Sequence, residues 1–254
     1  MARLHPDKMS FLEHLEELRQ RLVRAALSLV VGFALCWGFH EQIFKIMTAP
    51  LRAAGFQGSL IYTGPGEALM LYMKMAFFVG IFVASPYVLW EIWGFISPGL
   101  YKHEKAYAIP FIGMGSAFFI MGALFGHYYL FPLTFKFLGE FGGEDMKFLP
   151  KIDEYYSFYS WFLLGLGLVF QVPVVIFILA RIGLVTPRIL LKPWKWVLVG
   201  AFLVSAVITP TTDMVVQTAL AVPLIALYFF GVLVAWLFGR ARKTGGERPV
   251  SEGE

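Results

Sequence analysis

From Ser157 to Ala180 the chain runs without a charged residue, and an uncharged, mostly apolar stretch of about 18 residues or more reads as a helix that crosses a lipid bilayer. Five other segments have the same character. The six lie at about 22–40, 68–90, 107–131, 157–180, 194–209 and 214–238, with roughly 20 residues as the requirement for a span. Composition agrees: 58% of the 254 residues are hydrophobic and 15% charged, against about 45–50% and about 25% in soluble domains. The expected fold is therefore all-α, a polytopic membrane protein with six transmembrane helices. A soluble enzyme is excluded on the same ground.

The segments differ in ways that shape the bundle. The run that begins at Leu22 follows a long charged leader and lacks a small-residue cleavage pattern, so it is expected to remain as the first span. Pro86, Pro110, Pro173 and Pro223 fall inside spans, where each removes a backbone donor and tends to bend its helix, so a curved and kinked bundle is expected. The fifth segment is short, its 16 residues from Trp194 to Thr209 reaching roughly 24 Å against a hydrocarbon core of ~30 Å. No internal repeat is evident, and inverted repeats are what many transporter folds are built from. The tail from Arg240 to Glu254 is polar and contains glycine, a composition that favours disorder.

Six spans put both termini on one side, and the basic residues say which. On the side of the N-terminus lie Arg3, Lys8, Arg19, Arg21 and Arg24, then Lys102 and Lys105, then Arg181, Arg188, Lys192 and Lys195, then Arg240, Arg242, Lys243 and Arg248. The other side holds Lys45, Arg52, Lys136, Lys147 and Lys151, and Lys74 falls inside the second segment. Lys and Arg gather in cytoplasmic loops, so both termini are expected in the cytoplasm. The net charge of +4 follows from this sorting, and no nucleic-acid partner is implied. The single cysteine, Cys36, and five scattered histidines offer no metal-site spacing.

Residues 1–21 read as a cytoplasmic N-terminal segment, 22–238 as the transmembrane domain and 239–254 as a cytoplasmic tail. In the first of these, Ser10 and Glu13 have capping-box spacing, and Phe11, Leu15, Leu18 and Leu22 recur at helical intervals. An amphipathic helix is expected to run into the first span, with Glu13, Glu17 and Arg21 on its polar face. Glu17 and Arg21 have the spacing of an ordinary i,i+4 ion pair. In the loop 93–105, Ser-Pro-Gly at 97–99 sets a turn. Glu104 beyond it stands at the head of the third span, where a carboxylate also suits a helix N-terminus.

Five stretches together are more specific: HLEELRQR at 14–21, YTGPGEALMLYMKMAFFVG at 62–80, FISPGLYKHEK at 95–105, VFQVPVV at 169–175 and TPTTDMVVQTALAVPL at 209–224. They resemble, in order and over nearly the whole chain, the TatC family, the six-span receptor subunit of the twin-arginine protein translocase. The resemblance implies that Glu17 and Glu104 contact the paired arginines of a signal peptide on a folded passenger protein. Guanidinium suits such a site, because its planar fork donates two parallel hydrogen bonds to a carboxylate and lysine cannot copy that geometry. It implies that Arg19 orients the first acid or limits the negative charge there. Phe95, Pro98, Leu100 and Tyr101 match the loop that shapes the site, with a role as turn and membrane anchors equally open.

The resemblance further implies single-span partners of the TatA and TatB type along the later spans, self-association within the complex, and residence in the cytoplasmic membrane of a prokaryote. Thr209 and Gln217, with Asp213 between them, match the partner-contact positions, and packing within the monomer is the alternative. Relatives commonly have glutamate where this chain has Gln171, which can hydrogen-bond but not ionise near neutral pH. Lys74 could snorkel outward, pair with Glu67 or face a cavity. No cofactor is implied, and transport energy would come from the proton motive force, because no P-loop is present. A small-solute transporter or channel is the rival reading, permitted by Lys74, Gln171 and interrupted helices. A membrane-embedded enzyme would need a nucleophile, metal or acid–base constellation, and no GxSxG, HExxH or clustered histidines occur.

Overall fold

The computed structural model describes residues 11–56, 60–96, 108–140, 150–209 and 213–238. Within them the chain is helical, with one isolated parallel bridge between Ile61 and Lys151. The helices are α1 Phe11–Trp37, α2 His40–Ala53, α3 Glu67–Ile96, α4 Ala108–Phe125, α5 Phe131–Glu140, α6 Ile152–Val169, α7 Val172–Arg181, α8 Pro187–Leu191, α9 Trp194–Ile208 and α10 Met214–Phe238. A π-helical turn, Gly126–Leu130, joins α4 to α5. Five stretches are long and apolar enough to cross a bilayer, Leu12–Trp37, Glu67–Phe95, Ile109–Gly139, Ile152–Arg181 and Met214–Phe238, and α9 is a shorter apolar helix. The protein is a multi-pass membrane protein.

Side-chain exposure shows where lipid belongs. Leu27, Val30 and Leu35 on α1, Ile109 on α4, and Trp236 and Leu237 on α10 are all more than half exposed, an apolar surface far larger than a soluble monomer tolerates. Inside, an aromatic cluster forms the core, with Phe131 and Phe162 fully buried and the rings of Phe135, Tyr155, Phe158 and Tyr159 packed against Phe131. Helices meet closely where side chains are absent. A Cβ on Gly32 of α1 would lie 2.5 Å from the Gly80 carbonyl oxygen of α3, so glycine is what lets these two backbones touch.

Of the four span prolines, Pro173 interrupts a helix. Its missing N–H frees the Val169 carbonyl, where α6 stops, and Gln171 N turns instead to the Leu168 carbonyl at 3.0 Å. Pro86 and Pro223 are carried within unbroken α3 and α10, and Pro110 is the third residue of α4. The second interruption is the π-turn, which ends two residues before Pro132, where the missing N–H leaves the Tyr128 carbonyl without its helical donor. α2 is a helix between the first two spans, amphipathic, with Ile43, Met47 and Leu51 buried.

Candidate functional site

Glu17, Arg21 and Glu91 come together where the first turns of α1 pack on the last turns of α3. One helical turn separates Glu17 from Arg21, and the guanidinium reaches back, Nε donating to Glu17 Oε1 at 2.9 Å and Nη2 to the same oxygen at 2.6 Å. Its remaining nitrogen, Nη1, donates to Glu91 Oε2 across the helix interface at 3.2 Å. Glu91 is 4% exposed, and the Tyr87 hydroxyl one turn earlier on α3 lies against it. Gly94 makes room: a Cβ there would stand 2.0 Å from Arg21 Nη1.

The second oxygen of Glu17 is different. Oε2 is buried, and among the described residues no donor reaches it within hydrogen-bond distance. His14 Nδ1 stands 3.9 Å from it, and the His14 ring stacks on Phe95 of α3 with centroids 4.4 Å apart. A buried carboxylate oxygen without a donor is costly. Chemically, the arrangement is an acceptor already shaped to a guanidinium with half of its capacity unused.

Below this cluster, an apolar groove of about 440 Å³ runs between α1 and α3, lined by Leu27, Val31, Leu35, Val83 and Ala84 with Arg24 and Tyr87 at one end.

The other candidates fall in separate places. Arg19 is exposed, about 200° round the helix from Glu17, and Arg21 is the cation that holds that acid. Phe95 belongs to the cluster through His14. Pro98, Leu100, Tyr101 and Glu104 lie outside the described residues. Sequence reasoning missed Glu91, which stood one residue beyond the expected end of the second span; an acid on the flank of so apolar a helix was the available signal.

Thr209, Asp213 and Gln217 lie at the junction of α9 and α10, where Gln217 bonds one helix to the other. Thr209 Oγ1 donates to the Ser205 carbonyl at 2.8 Å, Ser205 Oγ to the Gln217 carbonyl at 2.6 Å, and Gln217 Nε2 to the Phe202 carbonyl at 3.0 Å. Asp213 Oδ2 accepts from Val216 N at 2.9 Å, capping α10. Gln171 Nε2 donates to the Gly115 carbonyl of α4 at 2.8 Å, tying the break in the fourth span to the third. Lys74 pairs with Asp153, Nζ to Oδ1 at 2.5 Å, on the exposed first turn of α6. Glu67, one of the partners weighed for it, instead accepts from Thr63 N at 2.7 Å and Thr63 Oγ1 at 3.1 Å. Among the described residues no group of three His, Cys, Asp or Glu side chains could hold a metal ion.

Comparison with known proteins places this geometry. The family model for TatC, the Sec-independent protein translocase protein, matches residues 13–223. The TatC protein of Koribacter versatilis is 40% identical over 235 residues, covering 90% of this chain and 86% of the relative. That of Desulforapulum autotrophicum is 39% identical over 247 residues, covering 97% and 91%. A crystal structure of the twin-arginine translocase receptor TatC superposes with a TM-score of 0.76 at 34% identity, covering 90% of this chain and all of that one. With the match running through both the α1–α3 cluster and the later spans, this chain belongs to the TatC family of Sec-independent protein translocase proteins.

Proposed function

We propose that this protein is the receptor subunit of a twin-arginine translocase, set in the cytoplasmic membrane of a prokaryote with both termini in the cytoplasm. It binds the paired arginines of signal peptides and, with single-span TatA and TatB type partners, moves folded passengers across the membrane on the proton motive force. The supporting observation is Glu17: it already holds one guanidinium in charge-assisted hydrogen bonds while its second oxygen has no donor. One peptide arginine takes that oxygen, and Glu104 is the carboxylate proposed for the other. A signal peptide continues from its basic region into an apolar stretch, and the groove between α1 and α3 is the apolar surface beside the cluster. Arg19, exposed on the far side of α1 from Glu17, limits local negative charge. Pro98, Leu100 and Tyr101, with Phe95, shape the approach.

The partners and further copies of the receptor pack on the later spans. Because Thr209, Asp213 and Gln217 have hydrogen bonds within the chain, those contacts rest on the exposed apolar side chains beside them, such as Leu203, Val207 and Val215. A solute transporter would have used Gln171 and Lys74, and both are engaged, with Gly115 and Asp153.

Photocrosslinking tests the receptor reading. A probe at position 14 or 95, beside Glu17 without replacing it, is expected to capture a peptide carrying Arg-Arg and to lose it when Lys-Lys is substituted. Absence of any crosslink from both positions, in protein inserted with its N-terminus in the cytoplasm, would overturn it.

A further inference from the structure

Glu91 is a buried ionisable group that arginine recognition by Glu17 and Glu104 does not itself require. It sits 4% exposed near the end of α3 and meets Arg21 Nη1 at 3.2 Å. A buried ion pair contributes little more to stability than apolar side chains of the same volume, so stability is a weak reason for a carboxylate there. Charge balance gives a stronger one. Glu17 and Arg21 alone make a neutral pair, which does not attract a second cation, and an incoming guanidinium would have to expel Arg21 from its seat. Adding Glu91 gives the three side chains one net negative charge.

Position follows the same logic. Because Nη1 is drawn to Glu91, the guanidinium spans two carboxylates and meets Glu17 through Oε1 alone. Oε2 is left without a donor among the described residues. Gly94 keeps this arrangement possible, since a Cβ there would occupy the place of Nη1. His14 Nδ1 stands 3.9 Å from Oε2, and the His14 side chain is 43% exposed and stacked on Phe95.

We propose that Glu91 is a positioning residue for arginine recognition: it neutralises and anchors Arg21, so that Glu17 keeps a net negative charge and an unbonded oxygen for the peptide's guanidinium. This inference rests on the receptor reading above. Glu91 need not touch the peptide.

The test is equilibrium binding of a fluorescent Arg-Arg signal peptide to the full chain in lipid nanodiscs, for wild type, E91Q, the double variant R21Q/E91Q and E17Q. In E91Q, Arg21 turns its full charge on Glu17, and affinity is expected to fall by roughly tenfold. Removing Arg21 as well restores one net negative charge, so R21Q/E91Q is expected to recover most of the loss. A merely structural ion pair would be rescued in the same way, so binding is read beside thermal unfolding: affinity that falls and recovers only in step with the melting temperature would overturn the inference. Wild-type affinity in E91Q, or a double variant as weak as E91Q, would overturn the inference. Should E91Q fail to fold, the double variant, which removes both members of the pair, is compared with wild type alone: near-equal affinity supports the inference, and a loss as large as that of E17Q overturns it. Unchanged binding in E17Q would instead refute the receptor reading, which keeps the two failures apart.

Discussion

Where α1 begins, Glu17, Arg21 and Glu91 bury charge and leave a carboxylate oxygen without a donor, whereas at the opposite end of the bundle the buried polar side chains described around α6 have found partners. There Tyr155 donates to the Met47 carbonyl at 2.5 Å, Tyr156 to the Lys74 carbonyl at 2.7 Å, and Tyr159 lies 2.7 Å from His127 Nδ1. Lys74 and Asp153 pair in the open. The satisfied end ties α2, α3, the π-turn and α6 into one core. Incomplete satisfaction at the other end carries a cost that packing does not repay, and a ligand that brings donors removes it.

Perturbing the two ends should therefore separate binding from stability. The largest effect is expected from E17Q, which should weaken Arg-Arg peptide binding by about 1.5–3 kcal/mol, the scale of a charged hydrogen bond, with the melting temperature nearly unchanged. G94A places a methyl group where Arg21 Nη1 sits. That overpacking should cost about 1–3 kcal/mol, read as weaker peptide binding together with a lower melting temperature. Tyr159→Phe removes the buried partner of His127 and should cost about 1 kcal/mol of stability while leaving peptide affinity as in wild type; a binding defect would break the comparison. Lys74→Gln should do least, because an exposed pair contributes about 0–1 kcal/mol, and thermal unfolding of the two proteins side by side checks it.

Much of this was legible in the chain. Apolar runs separated by charged loops specify spanning helices, because lipid accepts little else, and Pro173 marks the interruption of the fourth span. α2 escaped notice because its 14 residues are mixed in polarity and carry Pro50, so no apolar run marks it. The π-turn at 126–130 precedes Pro132, which lies just beyond the expected third span and so falls outside the span prolines. At the site, Glu17 and Arg21 were readable as an i,i+4 pair, since both lie on one helix. Glu91 joins them from 70 residues away, brought there by the packing of α1 on α3 that Gly32, Gly80 and Gly94 allow. The same limit hid the partner of Lys74: Glu67 is near in sequence, but Asp153, 79 residues distant, is near in space.

The central claim is that Glu17 reads a peptide arginine directly, and a double-mutant cycle measures that contact. Peptide affinity is determined for wild type and E17Q, each with the Arg-Arg peptide and with peptides in which one arginine at a time is glutamine. If Glu17 accepts from one of them, replacing that arginine weakens binding to wild type and has little further effect in E17Q. Equal losses in both backgrounds, for both arginines, would show that Glu17 and the peptide act independently and would contradict the account.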